Sequence, residues 1–175
     1  NLISKIPTII ASWERVRNGK DPIQPDSELS HASNFLYMLT GNKPDKEMER
    51  VFDVCLILHA DHTFNASTFA AREVASTRAH MYSAVSAAVG ALSGELHGGA
   101  NYEVMKMLLD IDNEDRVRDW VKSKIEGGDR IMGMGHAVYK TVDPRSMVLK
   151  ELSKKLSEKT GLPWFDITRK VEEIT

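Results

Sequence analysis

The sequence predicts an all-α protein. Apolar residues recur at the helical period in nearly every segment, two-residue alternation is missing, and polar caps and glycine stops bracket the periodic runs. Leu2, Ile6, Ile9 and Trp13 open a first helix, and residues 18–26, with Gly19, Pro22 and Pro25, read as a linker. Ser30 is placed to cap a helix through Phe35, Leu36 and Leu39, which Gly41 closes. Met48, Val51, Phe52, Cys55 and Leu56 share one face of a helix that leads to His59. Residues 81–93 are small or apolar on nearly every side (Ala84, Ala87, Ala88, Gly90, Ala91), a pattern that predicts a buried, closely packed helix. A turn follows at Gly127-Gly128-Asp129. Asp143-Pro144 places a capping carboxylate ahead of a first-turn proline, with Gly161 as the stop. Trp164, Ile167, Val171 and Ile174 mark a last helix. Periodicity runs to both ends, and the expectation is a central piece of a larger polypeptide.

Composition narrows the function classes. Hydrophobic residues at 42% and charged residues at 27% describe a globular chain. A formal net charge of −2 lacks the basic excess of a general nucleic-acid binder. The single cysteine, Cys55, excludes an intrachain disulfide framework and fits a reducing compartment, hence a cytoplasmic expectation. It reads as a small hydrophobe in a helix. No apolar run approaches the roughly 20 residues of a membrane span. The sequon Asn65-Ala66-Ser67 carries no weight in an intracellular chain.

Two histidines lie in glycine-rich segments, Leu96-His97-Gly98-Gly99-Ala100-Asn101 and Gly133-Met134-Gly135-His136-Ala137. Glycine beside a potential acid or base lets a ligand approach the main chain with no Cβ in the way. The second segment runs through Tyr139-Lys140 to Asp143-Pro144-Arg145, and an arginine at that distance suits an anionic substrate. A third motif is His59-Ala60-Asp61-His62 followed by Asn65-Ala66-Ser67-Thr68. His59 and His62 have a metal-like spacing, but the four-residue zincin spacing and a third ligand are both missing, so no metal is expected.

In this order and spacing the three motifs resemble the citrate synthase family over essentially the whole chain. The resemblance implies a helical fragment of a two-domain fold, with residues 1–97 in the large helical domain and 98–175 in the smaller domain that closes over substrate. The Gly98-Gly99 pair is a sensible joint, and equally a tight loop without motion. The reaction implied is condensation of acetyl-CoA with oxaloacetate to citrate and free coenzyme A, by a Claisen-type step and thioester hydrolysis. Coenzyme A enters as a thioester substrate, and no tightly bound cofactor is expected. A close relative of that activity takes propionyl-CoA to 2-methylcitrate.

Such chemistry needs a base for a weakly acidic C–H, donors for the enolate oxygen and cations for carboxylates. By resemblance, His97 offers a ring N–H to the thioester oxygen. From the residues alone it is equally a helix-terminal histidine bonded to nearby carbonyls. His136 would polarise the ketone of oxaloacetate, His62 would contact the same molecule, and Arg145 would grip a carboxylate with two parallel bonds. Arg145 sits in a first helical turn, where a cation is electrostatically disfavoured. Lys140 matches a position that meets a coenzyme A phosphate, and the backbone of Ile131, Met132, Gly133, Met134 and Gly135 matches the strip along its adenine end. Asn65 would help shape the oxaloacetate pocket, His59 would be structural, and His31 and His80 are ordinary polar residues. Glu95 stands where the family often has proline, and Met134 and Ala137 stand where aromatic and arginine residues are frequent.

The general-base aspartate of the family has no counterpart within these residues, so the fragment alone is expected to be inactive. The resemblance also implies a homodimer, with the helix at 47–59 as an interface element. Two other readings stay open: a non-catalytic fragment that only assembles, and a His/Asp metallohydrolase.

Overall fold

A computed structural model describes residues 1–135 and 142–175. Among the described residues there are nine α-helices and no strand, so the all-α expectation holds. None of these helices is long and apolar enough to cross a membrane. The chain divides into two compact units, 1–62 and 63–175. The boundary expected at His97/Gly98 falls inside the second of them.

The first unit holds α1 (Leu2–Arg17), α2 (His31–Thr40) and α3 (Lys46–Ala60). Ser30 caps α2 by accepting from the Ser33 N–H at 3.2 Å, and Gly41 ends it at φ +90°, as the sequence predicts. Asp45 caps α3 through two N–H groups, those of Glu47 and Met48. The small core joins Ala11, Ala32, Met38 and Val51, beside stacked Phe35 and Phe52 rings 5.1 Å apart. The linker is pinned from both sides. Asp26 and Asn34 exchange two hydrogen bonds (3.0 and 2.7 Å), and Arg15 Nε donates to the Asp21 carbonyl at 2.6 Å. Cys55 is half-buried on α3, and burial pushes its thiol above the ordinary value, which fits its reading as a small hydrophobe.

The second unit runs α4 (Ala66–Ser76), α5 (Met81–Leu92), α6 (Ala100–Ile111), a 3-10 turn (Glu114–Arg116), α7 (Val117–Gly127), α8 (Pro144–Thr160) and α9 (Trp164–Ile174). Its core is built by α6, α7 and α9: Met107, Leu108, Ile111, Val117, Val121, Ile167 and Val171. Five of these side chains are fully enclosed. At roughly 1.5–3 kcal/mol per buried aliphatic side chain, this cluster is the main source of the unit's stability. Gly128 and Gly161 end α7 and α8 in the left-handed conformation.

One expectation is overturned. α5 is not buried all round: Ala84 is its only buried residue, while Met81, Tyr82, Val89 and Leu92 are exposed. α4 covers one side of it. The all-round apolar pattern therefore outruns what the neighbouring helix hides.

Candidate functional site

The loop between α5 and α6 carries His97. Its path is tight: the Gly98 N–H donates to the Leu92 carbonyl at 2.9 Å, and the Gly99 N–H to the Gly94 carbonyl at 3.1 Å. Neither glycine has a positive φ. Their requirement is space. A Cβ on Gly98 would lie 2.5 Å from the Leu92 oxygen, and one on Gly99 would lie 2.9 Å from the Gly94 oxygen.

His97 is half-buried and tethered to the start of α4, since its Nε2 lies 2.9 Å from Ser67 Oγ. Ser67 in turn donates to Asn65 Oδ1 at 2.7 Å, and that oxygen also accepts from the Thr68 N–H at 2.9 Å as the N-cap of α4. Asn65, placed by sequence in the oxaloacetate pocket, thus also starts a helix and anchors a chain of hydrogen bonds to His97. Ser67 is the residue that sequence reasoning missed. It stands in a quoted motif, yet its contact with His97 spans 30 positions.

The strip at 131–135 turns its side chains inward. Ile131, Met132 and Met134 pack against the α6–α7–α9 core. Gly133 and Gly135 adopt φ +84° and +80°, a conformation other residues rarely take. A Cβ on Gly133 would also press on Val104 at 3.2 Å. The exposed surface of the strip is therefore largely glycine main chain, which suits backbone recognition of a flat ligand. His136 and Lys140 lie outside the described residues.

Asp143 caps α8, accepting from the Arg145 N–H at 2.9 Å. The same carboxylate pairs with the Arg145 guanidinium, Nη2 to Oδ2 at 2.7 Å and Nε to Oδ1 at 3.1 Å. This pair resolves the oddity of a cation in a first helical turn, because a partly buried carboxylate offsets the helix's positive end.

His62 belongs to the first unit and Arg145 to the second, and each is described within its own unit. α3 ends at Ala60 with Asp61 as its C-cap, so His59 and His62 do not share a helix face. That removes the premise of a metal pair. His59 Nδ1–H donates to the Cys55 carbonyl at 2.6 Å, a structural use. Among the described residues no group of three potential ligands converges. His80 caps α5 by accepting from the Tyr82 N–H at 3.3 Å, and its ring stacks on Tyr82.

Comparison with known proteins gives one answer. The family model for the citrate synthase C-terminal domain matches residues 1–175. A citrate synthase of Synechocystis is 49% identical over 174 residues, which are 99% of this chain and 44% of that protein. A 2-methylcitrate synthase of Mycobacterium tuberculosis is 42% identical, over 95% of this chain and 42% of its own length. The structure of Thermoplasma acidophilum citrate synthase, a ternary complex with carboxymethyl coenzyme A and oxaloacetate, superposes with a TM-score of 0.90. It is 35% identical, over 98% of this chain and 46% of that one. The chain thus spans less than half the length of these relatives. With a family model covering every residue, this all-α chain belongs to the citrate synthase family.

Proposed function

We propose that the protein containing this chain condenses acetyl-CoA with oxaloacetate and hydrolyses the citryl thioester to citrate and coenzyme A. Family membership over all 175 residues carries the reading. The tethered His97 supports it, since Ser67 holds the ring at Nε2 and Nδ1 remains as the atom that would donate to a thioester oxygen once it carries the proton. In this reading His97 stabilises the enolate, His136 polarises the ketone, and His62 and Arg145 hold oxaloacetate. The glycine strip at 131–135 and Lys140 receive coenzyme A. Residues 98–175 belong to the smaller domain, which closes over the substrate. The base that removes the methyl proton lies outside this chain.

Propionyl-CoA is the alternative thioester, favoured by the 42% identity to a 2-methylcitrate synthase. One methylene in an apolar pocket discriminates by only about 1–3 kcal/mol. Comparing kcat/KM for the two thioesters on the full-length protein tests both readings. A preference for acetyl-CoA supports the first, one for propionyl-CoA the second, and no thiol release from either overturns both.

We also propose a cytoplasmic homodimer. We place its interface on the exposed apolar side of α5, with Met81, Tyr82, Val89 and Leu92, and keep the helix at 47–59, which exposes Ile57, as the alternative. A second copy of the same hairpin would cover that side by a two-fold contact.

A further inference from the structure

We infer that Asn65 is a positioning residue that acts through Ser67 to decide which nitrogen of His97 carries the proton. The inference rests on the reading of His97 as the donor to the thioester oxygen.

It follows from counting hydrogens. The Thr68 N–H can only donate, so the Asn65 atom it meets at 2.9 Å is the carbonyl oxygen Oδ1. Ser67 Oγ lies 2.7 Å from that oxygen, and only the serine hydroxyl has a hydrogen to place between them. Ser67 is then committed as donor to Asn65, and its oxygen is left to accept. His97 Nε2, at 2.9 Å, must therefore bear the hydrogen of its own contact. In the neutral ring Nδ1 is then a bare lone pair, facing away from this chain of bonds; no described residue bonds it.

A thioester or enolate oxygen needs the opposite arrangement, with a donor at Nδ1. When the thioester binds, Nδ1 gains a proton and Nε2 loses one through exchange with water. The Ser67 hydroxyl swings its hydrogen from Asn65 Oδ1 to Nε2. Asn65 keeps the Thr68 bond and loses the serine donor, so its oxygen and Ser67 Oγ must draw apart from 2.7 Å. Asn65 thus holds the empty site in the non-donating tautomer, and the bound thioester reverses it.

Nitrogen-15 spectra of the histidine rings in the full-length protein test this, with His97 assigned by its loss in His97→Gln. The expected neutral-ring pattern without ligand is protonated Nε2 and bare Nδ1. Carboxymethyl coenzyme A plus oxaloacetate should reverse it. Asn65→Gly, which keeps a residue tolerated at helix N-caps, should raise the Nδ1–H share several-fold without ligand. Should Asn65→Gly not fold, Ser67→Ala should abolish the wild-type pattern while leaving the α4 cap in place. A free protein with Nδ1–H, or with both nitrogens protonated throughout, overturns the inference and leaves the proposed reaction standing. An Asn65→Gly or Ser67→Ala spectrum like the wild type also overturns it. Absence of turnover in the full-length wild type would instead overturn the reading beneath it.

Discussion

Asp143 holds Arg145 twice, once by its backbone N–H and once by its guanidinium, through the same carboxylate. The arginine proposed to grip oxaloacetate is thus oriented by the residue that starts its own helix. Arg145→Leu removes a charged donor, and such a bond contributes about 1.5–3 kcal/mol, or roughly ten- to a hundredfold in affinity. The expected outcome in steady-state kinetics of the full-length protein is a KM for oxaloacetate raised by that order, with the KM for the thioester little changed. Asp143→Asn retains a good cap and loses the charge partner, so it should raise the oxaloacetate KM by less and lower the melting temperature slightly, because the carboxylate no longer offsets the cation in the first turn.

Gly98 has no room for a methyl group. Gly98→Ala puts a Cβ against the Leu92 carbonyl, and the loop must shift at a cost of about 1–3 kcal/mol. Because His97 is the next residue, the expected outcome is lower stability in urea unfolding together with lower kcat. Gly90 in α5 meets nothing within 4 Å. In the isolated chain Gly90→Ala should therefore stabilise by about 0.5–1 kcal/mol, the ordinary helix-interior gain.

The first unit has an acid-sensitive contact. The Ser30 hydroxyl donates to Glu49 at 2.6 Å, and this bond, aided by Lys46, holds the Glu49 carboxyl below its ordinary 4.5. A depressed folded value stabilises above 4.5 and is lost as pH falls through that lower value. The stability difference between wild type and Glu49→Gln, visible at about pH 7, should vanish at about pH 2. The Lys43–Asp26 pair adds the same acid-side loss through Asp26, whose carboxyl is held below 3.8. Its lysine is raised above 10.5, so that share is present below 10.5 and lost only as pH climbs through the raised value.

The proposed homodimer can be tested face by face. Val89→Glu on α5 should convert the proposed homodimer of the full-length protein to monomer in sedimentation at micromolar concentration, whereas Ile57→Glu on α3 should leave it intact. The reverse result would return the interface to the helix at 47–59.

The 175-residue chain alone should release no thiol from acetyl-CoA and oxaloacetate above background. Loss of a general base typically costs about 10²–10⁴-fold in rate. Asp143 is held by its cap and by Arg145, and Asp166 lies in the first turn of α9. Turnover by the isolated chain would place the base within these residues.

What was legible in the sequence was local chemistry. Ser30, Gly41, Asp143 and Gly161 announce helix ends because a cap acts within three or four residues. α5 misled because an all-round apolar pattern reports every surface a helix will meet, not the one neighbour that covers it. The His59–His62 spacing carried little information for a different reason: Asp61 ends the helix between them, and spacing implies a shared face only inside a helix. Ser67 was invisible because its partner lies 30 positions away and hydrogen-bonding demand leaves no period in the chain. Arg145 looked misplaced until Asp143 was seen to hold it.

The Asn65–Ser67–His97 tether also bears on the order in which the protein assembles. Its members close a loop of 30 positions within the contiguous α4–α5 hairpin. That whole loop precedes α6 to α9 in the chain, so its contacts can form without them. As the chain leaves the ribosome, the histidine's scaffold can settle before the segment bearing Arg145 has emerged. In the proposed reaction, thioester chemistry would then be framed first, and the grip on the keto acid added to a frame already standing.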